Sequence, residues 1–244
     1  KGPQPELGNG GRRSYTLDQI NELRVLLEEG GKGKRYIQHR RGKEHCQVLA
    51  TVNFKGGSGK TTTAAHLAQF LALRGYRVLA VDLDPQASLT ALHGLRPEFD
   101  IGDNQTLYGA IRYDDSRRPM NEIVRPTYFP GLDIVPANLE LMEFEHDTPK
   151  ALVEGEGEPF FGRIATALGQ VQDRYDVMVL DCPPQLGFLT LGALCAATSV
   201  LITVHPQMLD VMSMCQFLLM ASDLPAVVQD AGADLDYDFL RYVV

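Results

Sequence analysis

The chain has 244 residues, 44% of them hydrophobic, and a formal net charge of −8. That is enough for one large domain with a small appendage. No run of 18 apolar residues offers a membrane span, and the acidic balance excludes a uniformly basic nucleic-acid binder. The four cysteines, at 46, 182, 195 and 215, lack Cys-x-x-Cys spacing, which argues against a zinc or disulfide framework and for buried small apolar groups in a reducing cytosol.

Charge is unevenly placed. Residues 1–44 hold ten Lys/Arg against six Asp/Glu, a local +4 that leaves −12 for the remainder. The opening Lys1-Gly2-Pro3-Gln4-Pro5 has neither an initiator Met nor a signal-peptide core. The far end, Asp238 to Val244, reads as a strand that stops at the last residue, so a fragment truncated on both sides is expected. Over residues 16–29 the spacing predicts an amphipathic helix, with Leu17, Ile20, Leu23 and Leu27 on one face and Thr16 and Gln19 in capping-box spacing. Residues 31–45, glycine-rich and then basic, read as a linker.

From Cys46 the texture becomes that of an α/β domain. The pattern predicts strands at Gln47–Asn53, Arg77–Asp82, Leu132–Pro136, Asp176–Asp181, Ser199–Val204 and Tyr237–Val244. Helices are predicted at Lys60–Leu73, Phe160–Val171, near Leu189–Cys195 and at Met208–Met220, the last with a methionine-rich core face. Apolar runs such as Val177-Met178-Val179-Leu180 are continuous rather than alternating, as in strands buried on both faces of a parallel sheet. Residues 97–130 read as mostly irregular with one helix near Thr106–Arg112, and Glu154–Glu158 as a solvated loop.

The chemistry concentrates in three places. Between the first strand and helix runs Lys55-Gly56-Gly57-Ser58-Gly59-Lys60-Thr61-Thr62, a P-loop with a second lysine at its front and Phe54 where the common pattern has glycine. A glycine-rich turn entering a helix lets backbone amides approach phosphate oxygens. Lys60 then suits the β- and γ-phosphates, Thr61 the magnesium, and Thr62 the α-phosphate. Asp181 closes an apolar strand, the place from which a carboxylate holds magnesium in P-loop enzymes. Asp82 and Asp84 follow the second strand on the side of the sheet where ligands bind, and either could orient an attacking water. His205 reads as structural.

The runs Lys55 to Thr62, Val81 to Ser88 and Val179 to Gly187 resemble the deviant Walker A, Walker A′ and Walker B motifs of the ParA/MinD class of ATPases, in order and across residues 46–244. The stretch from Thr203 to Met220 and the basic front are similar to the ParA-like proteins of repABC-type plasmid replicons. The resemblance implies a P-loop NTPase fold with a mostly parallel sheet, truncated at its C-terminal side. It further implies slow hydrolysis of ATP with Mg²⁺, a homodimer with ATP at the interface, plasmid partition with a ParB-like centromere-binding protein, and autorepression through operator DNA. It also implies nonspecific DNA binding, a cytoplasmic, nucleoid-associated protein and no membrane. Under it, Lys55 reaches across the dimer to the partner's ATP, Asp84 positions water, Asp181 is the Walker B acid, and Asp82 closes its strand.

Residues 1–30 resemble the wing and following helix of a MerR-like winged helix-turn-helix, with Arg12 and Arg13 on the wing facing DNA and Tyr15 packed beneath. A solvated linker is the rival reading. Among whole-protein alternatives, a MinD-like membrane-associated positioning ATPase is the runner-up. An iron-protein-like reductase is disfavoured because Pro183 to Phe188 contains no cluster cysteine.

Overall fold

The computed structural model describes residues 2–31, 34–53, 55–155, 158–205, 207, 215, 219 and 235–244. A two-stranded hairpin comes first, β1 (Glu6–Leu7) pairing antiparallel with β2 (Arg13–Ser14), and α1 (Leu17–Gly30) follows. Seven strands form the main sheet: β3 (Gln47–Val52), β4 (Val78–Asp82), β5 (Arg125–Pro126), β6 (Leu132–Val135), β7 (Val177–Asp181), β8 (Ser199–Thr203) and β9 (Phe239–Val243). Their order is β5-β6-β4-β7-β3-β8-β9, with every pair parallel except β5 with β6. The helices are α2 (Lys60–Arg74), α3 (Ser88–Leu92), α4 (Pro97–Asp100), α5 (Leu107–Ile111), α6 (Met120–Ile123), α7 (Met142–Glu154), α8 (Phe160–Gly169) and α9 (Phe188–Ala196).

The continuous apolar strands are explained by two cores. Val48, Ala50, Leu79, Val81, Met178 and Leu180 face one side, with α5, α7, α8 and α9. Leu49, Val78, Ala80, Val177 and Val179 face the other, against α2. Alternate residues along each strand therefore enter different cores, and neither face is left for water. Helix α2 presents Ala64, Ala65, Ala68 and Ala72 to the sheet, small side chains that permit close approach. It stops at Gly75 (φ 92°), whose amide donates to Ala72 O while that of Tyr76 donates to Leu71 O, a pair of bonds that closes the helix end.

The strands fall where the sequence pattern places them. Helix α7 was not expected, and it absorbs Glu154 from what read as a loop. Its sequence hides it, because Pro149 lies inside and Leu141 at its start supplies no capping side chain. Residues 97–130 contain the expected helix, with Thr106 as its cap, but also α4, α6 and β5. Of the helix expected over Met208–Met220 only Cys215 and Leu219 are described, both helical and exposed, and Met208, Met212, Met214 and Met220 lie outside the described residues.

The front of the chain departs from expectation in its packing. The Thr16–Gln19 capping box forms as read, with both reciprocal bonds present. The helix nevertheless buries no residue, leaving Ile20 37% and Leu27 49% exposed, and Tyr15 is also exposed rather than packed beneath a wing. The described part of the 31–45 segment is docked rather than free. Asp176, its side chain 1% exposed, accepts the Arg40 amide at 2.7 Å, the Arg77 amide at 2.8 Å and the Arg77 guanidinium at 2.8 and 3.1 Å. Burial pushes the Asp176 carboxyl up, but these hydrogen bonds outweigh it and hold the group below its usual range. Helix α1 is held in turn by Arg24, which donates to Leu73 O at 2.6 Å.

Truncating Asp176 strands a guanidinium and two amides. Asp176→Ala is expected to lower unfolding free energy by about 3 kcal/mol or more in urea titrations. A loss under about 1 kcal/mol would show that this clamp does not fasten the front segment to the sheet.

Candidate functional site

The glycine-rich loop leaves β3 at Asn53 and enters α2 at Lys60. Asn53 shapes it from both ends of its amide: its Oδ1 accepts the Lys55 amide at 3.1 Å, and its Nδ2 donates to Thr203 O at the end of β8. Ser58 Oγ lies 3.2 Å from Thr203 Oγ1, so β8 braces the loop twice. Gly57 (φ 78°) and Gly59 (φ 83°) hold left-handed backbone, and a Cβ at Gly56, Gly57 or Gly59 would meet no atom within 4 Å. The loop is thus an open arch over the N-terminus of a fifteen-residue helix that no side chain caps. Lys60, 6% exposed, crosses it and donates from Nζ to Lys55 O at 3.1 Å. Burial lowers the Lys60 pKa, opposed by the charges of Asp181 and Asp84. Thr61 is half-buried beside it, while Thr62 is exposed.

Three carboxylates gather at the same sheet edge. In the β4–β7 register Asp82 lies beside Asp181, and both are buried. Asp82 Oδ2 accepts the Thr90 amide and hydroxyl at 2.8 and 2.7 Å, and its Oδ1 accepts the Asp84 amide at 3.2 Å. Burial foremost, and then the charge of Asp181, pushes the Asp82 pKa up to about 7. Burial also raises Asp181, to about 6, and Asp84 adds to the rise while Thr61, Lys60 and Thr51 offset part of it. Neither Asp181 oxygen has a hydrogen-bond partner of full geometry, and the Thr51 hydroxyl is committed to Leu180 O at 2.9 Å. Asp84 is partly exposed, and its Oδ1 accepts the Gln86 amide at 2.9 Å.

A buried carboxylate with two partnerless oxygens, beside Thr61 and an ammonium under an open glycine arch, is a donor set that suits a hard divalent cation and a polyphosphate. Lys55 to Thr62, Asp84 and Asp181 converge as the sequence order required. Asn53, Thr203 and Thr90 were missed. Asn53, two residues before Lys55, carries a local turn signal, but Thr90 and Thr203 act from other elements. Arg12 and Arg13 lie apart from this site, both exposed at the hairpin, whose tip turns through Gly10 (φ 78°) and Gly11 (φ 74°). The hairpin-then-helix order is the one a wing would have. Cys46 and Cys182 are buried and Cys195 partly so, but Cys215 is exposed, against the expectation that all four are buried. His205 is exposed just beyond β8. Among the described residues no helix is long and apolar enough to cross a membrane.

Fold and loop together define a P-loop NTPase with a deviant, two-lysine phosphate loop. The family model described as "AAA domain" matches residues 46–229, and the chain belongs to this ParA/MinD-like family. It is 59% identical to a protein carrying the name replication protein A from Sinorhizobium fredii, over 100% of this chain and 61% of that protein. It is 33% identical to Protein SopA of Escherichia coli, over 98% of this chain and 61% of SopA. The chain therefore spans about three fifths of the length of these curated relatives. Among solved structures it resembles cobyrinic acid a,c-diamide synthase from Mycobacterium smegmatis with bound ADP and magnesium, with TM-score 0.65 and 30% identity over 80% of this chain and 71% of that one. A plasmid partition protein from Borrelia burgdorferi shares the fold, with TM-score 0.64 and 22% identity over 82% of this chain and 79% of that one.

The raised acids make a pH prediction. Unfolded aspartate titrates near 3.9, so between about pH 4 and pH 7 Asp82 and Asp181 hold more protons in the folded chain than in the unfolded one, while burial of His39 and His93 acts in the opposite sense near the top of that window. The contribution of these two aspartates to the stability of the nucleotide-free protein is therefore expected to fall as pH rises through that window, by at most about 1.4 kcal/mol per pH unit for each proton. Asp82→Asn should flatten that fall in denaturant titrations between about pH 5 and pH 7.5. A slope identical to wild type would move the bound proton to another group.

Proposed function

We propose that the chain is the ATPase part of a DNA-segregation protein for plasmid partition, which hydrolyses ATP slowly, dimerises with ATP at the interface and represses at operator DNA. The observation that carries the reading is Asp181, whose buried oxygens have no hydrogen-bond partner of full geometry among the described residues and stand beside Lys60 under the open Gly56–Gly59 arch. A carboxylate so placed is destabilising by itself and becomes favourable when a cation arrives. The loop amides and Lys60 hold the phosphates of ATP, and Thr61 and Asp181 hold Mg²⁺, which when bound draws charge from the β- and γ-phosphates. Asp84 positions the attacking water from the partly exposed rim. Lys55, held at its amide by Asn53, reaches to the ATP of a second copy and supplies positive charge as phosphate leaves. Residues 46–244 form the ATPase domain, 31–45 the basic linker, and 1–30 the end of a winged DNA-binding domain. SopA, the partition-protein fold and the magnesium nucleotide bound by the diamide synthase support this reading, as does the relatives' shared length of match. A ParB-like centromere-binding protein is the partner, and the nucleoid the place of action.

Binding and turnover are separable. In the full-length protein Lys60→Ala is expected to abolish ATP affinity in calorimetry. Asp84→Ala should bind ATP, lose hydrolysis by about 100-fold and accumulate as a dimer on size exclusion. Wild-type turnover in Asp84→Ala would give its role to another group.

DNA binding is tested separately. Two copies of the exposed Arg12 and Arg13 on an ATP dimer raise the number of phosphates neutralised together. Arg12→Ala/Arg13→Ala should weaken operator binding and shallow its salt dependence by about one unit of slope for each phosphate no longer neutralised. Unaltered affinity and slope would make the hairpin a solvated linker.

A further inference from the structure

Beyond the motifs, one carboxylate on α7 is aimed at the loop that follows Asp181. That loop runs from Cys182 to Gly187 and ends at α9, whose N-cap is Gly187 and has no capping side chain of its own. Glu145 supplies the cap from outside: its Oε2 accepts the Phe188 amide and its Oε1 the Leu189 amide, each at 2.9 Å. A Cβ at Gly187 would lie 2.4 Å from Glu145 Oε1 and 2.7 Å from its Cδ, so the carboxylate occupies the space a capping residue would take. The other end of the loop is fixed by the sheet, where the Cys182 amide donates to Thr51 O at 3.2 Å. Between the two anchors lie Pro183 and Pro184, and Gln185, whose carbonyl accepts from Thr190 Oγ1 at 2.6 Å.

We propose that Glu145 is a positioning residue for ATP turnover, fixing the loop behind Asp181 by capping α9 across 43 residues of chain. The proposal rests on the hydrolase reading above. Two prolines stiffen the loop and both its ends are pinned, so displacing the α9 end shifts the backbone next to Asp181, where misplacement of about an ångström slows chemistry more than binding. Gly187 has φ −94° and ψ −175°, a conformation suited to an ordinary N-cap residue. A local cap can therefore replace the distant one once the carboxylate is gone.

The test uses the full-length protein with magnesium and ATP. Glu145→Ala is expected to lower kcat about tenfold with KM for ATP within about twofold of wild type. Amide exchange in residues 185–192 should rise, with or without nucleotide. Glu145→Ala/Gly187→Asp should recover both. If Glu145→Ala lowered only the thermal midpoint and left kcat unchanged well below it, Glu145 would be a structural cap and the proposal would fall. Unchanged exchange in 185–192 would also overturn it. A wild-type protein without ATP turnover would remove the hydrolase reading and this role with it, whereas the exchange measurement would still report whether Glu145 caps α9.

Discussion

Everything at the functional edge depends on two aspartates buried side by side. The register of β4 against β7 sets Asp82 next to Asp181, and the two cores on either side of the sheet exclude the water that would solvate them. Burying an ionised carboxylate costs several kcal/mol unless bonds or opposite charge offset it. The two acids meet that cost differently. Asp82 is satisfied by Thr90 and the Asp84 amide, a closed arrangement that fits a residue ending its strand. Asp181 is left to Lys60 and nearby hydroxyls, so its neighbourhood is stabilised by whatever cation can be brought there.

The same strand connects the site to the front of the chain. Asp176 immediately precedes β7 and Asp181 ends it, about 16 Å apart at the rise of an extended strand. At one end a carboxylate is fully bonded by Arg40 and Arg77, and at the other it has no partner of full geometry. The contrast separates fastening from binding. The bonded end ties the basic strap to the domain, and Arg24 separately fastens α1 to Leu73 O at the end of α2. The hairpin bearing Arg12 and Arg13 leads directly into α1, and so is joined to a helix that these bonds fasten to the P-loop domain.

Much of this was legible in the sequence because its signals are local. A strand, a glycine turn and Lys-Thr at a helix start occur within a few residues, and so do an acid at a strand end and a capping box such as Thr16 with Gln19. What failed to show depends on elements distant in the chain. Thr203 matters only because the sheet brings it to Ser58, and Thr90 because α3 folds back against Asp82. The periodicity of Leu17, Ile20, Leu23 and Leu27 predicts a helix correctly but not that it buries nothing, since periodicity reports a face and not its partner. Helix α7 lacks a capping signal and contains Pro149, so local propensity opposes what packing of Phe144 and Thr148 secures.

That hidden helix is where local and distant information meet. With Glu145 absent, a serine or aspartate at position 187 could accept from an amide in the first turn of α9, and a cap of that kind contributes about 1 kcal/mol. It would do so without involving α7. With glycine at 187 the amides can be satisfied only if α7 stays in place, and α7 is itself located by Phe144 stacked on Tyr113 and by Thr148 bonded to the Tyr113 hydroxyl. Tyr113 in turn lies under the Arg163 guanidinium, whose bonds run to Ile111 O and Arg112 O. Residues 97–130, the least readable in the sequence, and α7 are thus packed so that their position is felt at the loop behind Asp181. Exchanging a local cap for a distant one makes that loop a reporter of tertiary packing.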